Sequence, residues 1–391
     1  MIKIELKRGK EAAVLRRHPW IFSGAIHKIH GAVADGDFVE VTAADGTFLA
    51  SGHYQNGSIM VRLLSFTPTE LDPNFWVEKL QMAFDLRSTL RLTDNTATNC
   101  YRLTHGEGDG LSGLIIDVYG STAVLQAHTI GMHKASKNIA AALKTVMGDR
   151  LTAIFDKSSE SLPPDYAATM SNSYILGAGE PSVVLENGNS FVVDWESGQK
   201  TGFFLDQRNN RALVGQYARG KRMLNAFCYS GGFSIYALRE GATFVDSVDA
   251  SARAIEWVNR NAILNNTTEN HAAHTSDVIK FLQQTTEPYE VMVLDPPAFA
   301  KHLSAKHKAV QGYKRLNVEG MKKITKGGIL FTFSCSQVID RELFYNTIVA
   351  AALEAGRSVR VLHHLSQPPD HPVSMSHPEG SYLKGLVLHI E

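Results

Sequence analysis

Three carboxylates and a pair of glycines stand where a ligand-binding sheet would need them. The stretch Met223-Leu224-Asn225-Ala226-Phe227-Cys228-Tyr229-Ser230-Gly231-Gly232-Phe233-Ser234 reads as a buried strand running into a glycine turn and then a helix. Adjacent glycines let backbone approach a ligand closely, and a helix opening at Phe233 turns free N–H groups toward it. Asp249 lies 18 residues beyond Gly231, near the spacing at which an acid meets ribose hydroxyls. Asp277 and Asp295-Pro296-Pro297 follow two later apolar runs. A lone Asp after a strand is commonly a helix cap, and Asp277 suits that role equally. Three acids in register with three strands nevertheless favour a nucleoside site. No Gly-x-Gly-x-x-Gly accompanies them, which disfavours NAD. Gly106, Gly108 and Gly110 imitate a phosphate loop, but the next apolar run is a strand, so they read as turn residues.

The elements that must position these residues follow from periodicity. From about residue 200 strands and helices alternate, as in a parallel sheet covered on both faces. Strands are expected over 223–227, 244–248, 271–274, 291–294, 329–333, 359–363 and 385–390, and helices over 209–218, 233–240, 252–265, 278–284, 309–324 and 341–355. Ligands of such sheets bind at the carboxyl ends of the strands, where strand order reverses. Residues 1–68 instead carry short strands and the hairpin signals Asp35-Gly36, Asp45-Gly46 and Asn56-Gly57. Beyond Pro68 and Pro73, a helix over 75–90 is expected to turn Trp76, Leu80, Phe84 and Leu86 to one side. Strands at 100–105, 114–118 and 123–127, a helix at 134–146 and a strand at 151–155 then suggest a small α+β unit, joined onward by a hairpin at Asn187-Gly188. The expected fold class is α/β, with a doubly wound C-terminal sheet behind a β-barrel and a central α+β domain. The divisions fall at 1–68, 72–187 and 188–391.

A chain of 391 residues, 44% hydrophobic and 20% charged, is globular in composition. It has no apolar run of about 18 residues, and its basic start lacks the core of a signal peptide, so a cytoplasmic protein without a membrane partner is expected. Cys100, Cys228 and Cys335 are widely spaced with no CxxC pair. Neither a disulfide framework nor a metal site is indicated, and any thiol chemistry falls to a single cysteine. Formal net charge is zero, yet residues 1–30 carry +5. Such a patch fits an RNA partner, although a solvated charged face has the same composition.

Several words in the C-terminal half appear in a telling order: Lys200-Thr201-Gly202-Phe203-Phe204-Leu205-Asp206-Gln207-Arg208, Asn225-Ala226-Phe227-Cys228-Tyr229-Ser230-Gly231-Gly232-Phe233, Asp295-Pro296-Pro297-Ala298-Phe299, Phe333-Ser334-Cys335-Ser336 and Asp370-His371-Pro372-Val373. Together they strongly resemble the class I S-adenosylmethionine-dependent methyltransferases, whose domain is Rossmann-like. Likewise His18-Pro19-Trp20-Ile21-Phe22-Ser23-Gly24-Ala25-Ile26 with Gly36-Asp37-Phe38-Val39-Glu40-Val41 resembles the start of a PUA domain, a barrel of RNA-modifying enzymes. The bland alternative is a generic barrel whose core Trp20 and Phe22 fill. Over essentially the whole chain the resemblance is to PUA-containing 23S ribosomal RNA cytosine-5 methyltransferases. It implies S-adenosylmethionine as cofactor, met by Gln207, Arg208, Asn225, Phe227, Tyr229, Ser230, Gly231, Gly232, Asp249 and Asp277. It also implies 23S ribosomal RNA as partner before full subunit assembly, with a homodimer allowed.

The resemblance assigns chemistry as well. Carbon 5 of cytosine is a poor nucleophile toward a sulfonium methyl, so a thiolate must first add to carbon 6. Cys335, just past the expected fifth strand, is the implied nucleophile. Its thiol, with an ordinary pKa of ~8.5, would have to be depressed by the site; the alternative is an inert buried cysteine. Asp295 would bond the Watson–Crick edge of the base, Pro296 and Pro297 would stiffen the loop, and Phe299 would stack on an extruded base. The chain departs from the two-cysteine methylases, whose motif reads Pro-Cys. That leaves the acceptor of the carbon 5 proton open, with Lys301 and His371 as candidates that are equally readable as surface residues. Asp-Pro-Pro-x-Phe words also serve nitrogen methylation. A guanosine methylase with a structural Cys335 therefore remains an alternative, as does a non-catalytic RNA-binding assembly factor.

Overall fold

Ile4, Leu6, Val39, Val41, Val61 and Leu63 alternate with more exposed neighbours and are all buried, the two-residue period of strands with one face on a core. In the computed structural model, which describes residues 1–180, 182–300 and 302–391, they sit in a six-stranded sheet. Its strands are β1 (Ile2–Leu6), β2 (Trp20–Phe22), β3 (Ile26–His30), β4 (Phe38–Thr42), β5 (Phe48–Tyr54) and β6 (Ile59–Ser65), in the spatial order β2-β6-β5-β4-β1-β3. Asp45-Gly46 and Asn56-Gly57 fall in the β4–β5 and β5–β6 hairpins, as expected. Asp35-Gly36 does not close a hairpin, because β3 and β4 each pair with β1 rather than with each other. Nor does Phe22 fill the core: it is exposed, and the half-buried Trp20 donates its indole N–H to Glu107 at 2.9 Å.

Asp72 caps the helix Pro73–Thr89 by accepting the Phe75 N–H at 2.8 Å. The helix buries Phe75, Trp76, Leu80 and Phe84, but Leu86 is exposed. At about 3.6 residues per turn, Arg87 and not Leu86 returns to the side of Trp76. A second sheet follows, of β7 (Cys100–His105), β8 (Leu114–Tyr119), β9 (Thr122–Ala127), β10 (Ala153–Asp156) and β11 (Ser173–Leu176), in the order β11-β10-β9-β8-β7. The helix expected at 134–146 is found as Ile130–Lys134 and Ser136–Met147. β12 (Ser182–Glu186) and β13 (Asn189–Val193) form the expected hairpin, with both turn residues at positive φ: +49 for Asn187 and +78 for Gly188. No helix of the described residues is long and apolar enough to cross a membrane.

The chain divides into two units, one of residues 1–184, 193–205 and 369–380, the other of 185–192, 206–368 and 381–391. The second holds a seven-stranded sheet of β14 (Arg222–Ala226), β15 (Phe244–Asp249), β16 (His271–Thr275), β17 (Tyr289–Leu294), β18 (Ile324–Ser334), β19 (Val359–Leu365) and β20 (Lys384–Ile390). Their order is β16-β15-β14-β17-β18-β20-β19, so the chain switches direction across the sheet between β14 and β17. One expectation needs correction. The sheet is parallel except at β20, which inserts antiparallel between β18 and β19. The chain from β19 to β20 contains no crossover helix, and parallel neighbours would require one.

Candidate active site

Register builds the site. Ala226 of β14 pairs with Val248 of β15 on one side and with Leu294 of β17 on the other. The next residue of each strand, Phe227, Asp249 and Asp295, therefore lies in one row at the carboxyl edge, beside the switch point. Leu294 in turn pairs with Thr332, so Phe333 and Ser334 of β18, and Cys335 just beyond it, run past the same row.

The β14 turn is tightly wound. Phe227 and Tyr229 take positive φ, +59 and +47, a conformation costing non-glycine residues of order 1–3 kcal/mol. Gly231, at φ +79, precedes the helix Gly232–Arg239, and no side chain caps that helix start. A Cβ on Gly231 would lie 3.2 Å from the Val258 side chain, and one on Gly232 would lie 2.8 Å from Arg211. Asp249 braces the turn: one carboxylate oxygen accepts the Tyr229 N–H at 3.0 Å and the other the Ser251 N–H at 2.9 Å. Ser230 is buried, its carbonyl accepting from Asn261 at 2.8 Å. Asn225 lies deeper. Its side chain is wholly buried and donates to Ser234 at 2.8 Å, in a polar chain that continues to Ser247 and His271. Asp277 caps the helix Val278–Gln284, accepting the Lys280 N–H at 2.9 Å.

Gln207 and Asp295 are brought together by a 2.9 Å hydrogen bond from Nε2 to the carboxylate. Asn210 holds the other end of the Gln207 amide at 2.6 Å. Behind them stands Glu186, wholly buried, which accepts from Arg211 at 2.8 and 2.7 Å, lies 3.6 Å from Arg208 and receives the Tyr236 hydroxyl at 3.0 Å. Sequence reasoning missed Glu186. Its only signal is an acid inside an otherwise apolar hairpin strand.

Cys335 is half-buried, whereas Cys100 and Cys228 are buried. The Cys228 thiol is pushed well above its ordinary value by burial and by the Asp249 charge, and it packs on Ile255 and Val258. The Cys335 and Asp295 loops are tied together by Ser336, whose hydroxyl donates to the Ala300 carbonyl at 2.7 Å. Tyr313 lies under both loops: burial pushes its phenol up to about 12, and the charges of Cys335 and Asp295 act in the same direction. Phe299 packs its ring 4.7 Å from that of Tyr313. Pro296 is buried and Pro297 exposed. His371 is a buried residue of the first unit, 3.3 Å from Asp370 and ring to ring with His105 at 5.0 Å, so it is not a surface residue. Lys301 lies outside the described residues.

The profile of the PUA-like domain matches residues 4–66, and that of the S-adenosylmethionine-dependent methyltransferases matches residues 163–388. The chain belongs to the S-adenosylmethionine-dependent methyltransferases. It is 39% identical to the ribosomal RNA large subunit methyltransferase I of Aeromonas hydrophila, with 98% of each chain covered. To the protein of that name from Escherichia coli (strain SMS-3-5 / SECEC) it is 36% identical, with 100% of this chain and 99% of the relative covered. Among solved structures, a protein of Streptococcus mutans described as a SAM-dependent methyltransferase superposes over 100% of both chains with a TM-score of 0.85 at 22% identity, a likeness of fold.

This methyltransferase thus uses S-adenosylmethionine, and the row at the sheet edge fits that molecule. Its methionine end carries a carboxylate that suits the helix start at Gly231 and Gly232, which no side chain caps. Its ribose diol suits a carboxylate at the end of the second strand, where Asp249 lies.

Proposed function

We propose that this methyltransferase acts in the cytoplasm on carbon 5 of a cytosine in 23S ribosomal RNA, before the large subunit is fully assembled, with Cys335 as the attacking group. One observation carries the reading: of the three cysteines only Cys335 is not buried, and it stands beyond β18, tied by Ser336 to the loop that bears Asp295. The name of the relatives, ribosomal RNA large subunit methyltransferase I, supports the choice of RNA. Residues 1–68 would dock the RNA, 72–187 would connect, and 188–391 would catalyse.

When bound, the cofactor supplies an electrophilic methyl on a sulfonium. Gly231 and Gly232 would hold its carboxylate with backbone N–H groups, and Asp249 its ribose. Gln207, Arg208, Phe227, Tyr229 and Ser230 would shape the remainder of the pocket. Asn225, engaged with Ser234, would act through its strand position, and Asp277 through the loop it caps. Asp295, oriented by Gln207, would accept from the exocyclic amine of cytosine, with Pro296 and Pro297 stiffening its loop and Phe299 stacking on the base. The Cys335 thiolate adds its electron pair to carbon 6, which makes carbon 5 nucleophilic. After methyl transfer, loss of the carbon 5 proton returns the electrons and expels the thiolate.

RNA carrying 5-fluorocytidine at the target tests this directly, because fluorine cannot leave as a proton. The wild-type protein should be trapped as an adduct through Cys335. Cys335→Ala should form none and lose ~10³-fold or more of methyl transfer, while cofactor affinity holds. Cys228→Ala should still form the adduct. Methylguanosine in the product nucleosides, or full activity of Cys335→Ala, would overturn the cytosine assignment. Absence of any label would favour an assembly factor.

A further inference from the structure

Lys384 opens β20 directly across from Ser334, the residue before Cys335. Its side chain is buried, at 4% exposure, and its Nζ donates at 2.6 Å to the carbonyl of Ser336, the residue after Cys335. Lys384 therefore meets both flanks of the thiol, Ser334 through strand register and Ser336 through its amine. Burying an ammonium is costly unless an anion or several hydrogen bonds compensate, and among the described residues Lys384 makes no salt bridge. Burial pulls its pKa down to about 8; the Cys335 thiolate is the largest opposing influence, Arg341 acts with the burial and Asp340 against it.

The other charged groups around this pair have separate duties. Asp340 caps the helix Arg341–Ala355 through the Leu343 N–H at 2.8 Å. The Arg341 guanidinium is spread over the Leu365 and Leu383 carbonyls and the Ser381 hydroxyl. Asp295 holds Gln207, and the Tyr313 phenol, at about 12, is neutral near pH 7. Glu342, Tyr345 and His364 border, with Lys384, a cavity of about 240 Å³. Lys384 is the cation whose backbone faces Ser334 and whose amine reaches Ser336, the two residues that flank Cys335.

We propose that Lys384 is a positioning residue that holds Cys335 as a thiolate, an inference that rests on the nucleophile reading of Cys335. In the resting pair the S–H bond breaks with its electrons left on sulfur, and the proton is taken by the lone pair of neutral Nζ. Thiolate and ammonium result, charge is conserved and no co-reactant is needed. Through Ser336 the same ammonium fixes the loop that carries the sulfur.

The test is the pH dependence of Cys335 alkylation by iodoacetamide in the full chain, with the site identified by peptide mass spectrometry. In wild type the midpoint should lie below the ordinary thiol value of ~8.5. A wild-type midpoint at or above that value overturns the proposal without need of any variant. Lys384→Met should raise the midpoint by about one unit, which slows alkylation ~10-fold at pH 7, and Lys384→Arg should restore a low midpoint. An unshifted midpoint in folded Lys384→Met would reduce Lys384 to a packing role. This readout needs neither RNA nor cofactor. Failure of the amine–thiol pair is thereby separated from failure of the nucleophile reading, which the 5-fluorocytidine adduct reports.

Discussion

The turn Gly106-Glu107-Gly108-Asp109-Gly110 in the first unit and Ser230-Gly231-Gly232 in the second each follow a strand and each hold glycine at positive φ, +50 and +68 for Gly106 and Gly110 and +79 for Gly231. Both are packed by the protein, Gly231 and Gly232 by the Val258 and Arg211 side chains, but what packs on the first turn is backbone. A Cβ on Gly108 would lie 2.0 Å from the Pro372 carbonyl oxygen. Asp109 turns inward to a buried ion pair with Arg87 and also accepts the His105 N–H. In the second turn the N–H groups at the start of the helix Gly232–Arg239 receive no side-chain cap, and Asp249 takes the Tyr229 and Ser251 N–H groups on either side of it. A glycine turn thus announces close approach. The element that follows it, strand in one case and helix in the other, decides whether backbone N–H groups are left at a helix start that an anion would suit.

The comparison can be broken by substitution, and the largest effect belongs to the first turn. Asp109→Ala leaves the Arg87 guanidinium buried without its partner and should cost about 3–5 kcal/mol in urea unfolding, with the cofactor affinity of the folded protein unchanged. A parallel loss of cofactor binding would mean that the first turn is not purely structural. Next comes Asp249→Ala, expected to weaken S-adenosylmethionine binding by roughly 1–3 kcal/mol in calorimetry. Unchanged affinity would remove Asp249 from the ribose role. Gly231→Ala should follow, at roughly 1–2 kcal/mol for a left-handed non-glycine residue, and should appear in cofactor affinity as well as in melting temperature. Gly106→Ala should cost similar stability with no effect on cofactor.

Acid gives the smallest effect near neutrality and acts on both units, because each holds a histidine whose pKa burial lowers to about 4: His53 in the first and His271 in the second. A base with a depressed folded pKa is neutral in the native state but charged in the unfolded one between its two pKa values. Stability is then fully present above pH 6.5 and declines as pH falls toward 4. Thermal melts at pH 7 and pH 5 should show the decline, and His271→Gln should reduce it. An identical pH dependence in that variant would exclude His271 as a contributor.

Much of the second unit was legible because its signals are local. Asp277 and Asp340 cap helices that begin where expected, Val278–Gln284 and Arg341–Ala355, since a cap acts over three residues. The two-residue turn Asn187-Gly188 fixed its hairpin for the same reason. Legibility failed where a neighbour distant in sequence decided the outcome. Asp35-Gly36 looks like a hairpin turn until β1 inserts between β3 and β4. Leu86 looks like a core residue until the helix phase gives its place to Arg87, whose partner Asp109 is 22 residues on. Asn225 looks like a pocket residue until Ser234 claims its amide.

The sequence by itself determined the strand–helix alternation, the glycine turn and the acids at the strand ends, because each is written in a window no longer than one element and its cap. Only the tertiary structure decided that Glu186 gathers two arginines, that Gln207 grips Asp295 and that Lys384 reaches the carbonyl of Ser336. Those partners are brought together by sheet register and chain closure, 88 residues apart in one case and 48 in another, distances over which no periodicity carries information. The physical reason is burial. A charge withdrawn from water must find its partner wherever the fold places one, and composition along the chain does not say where that will be.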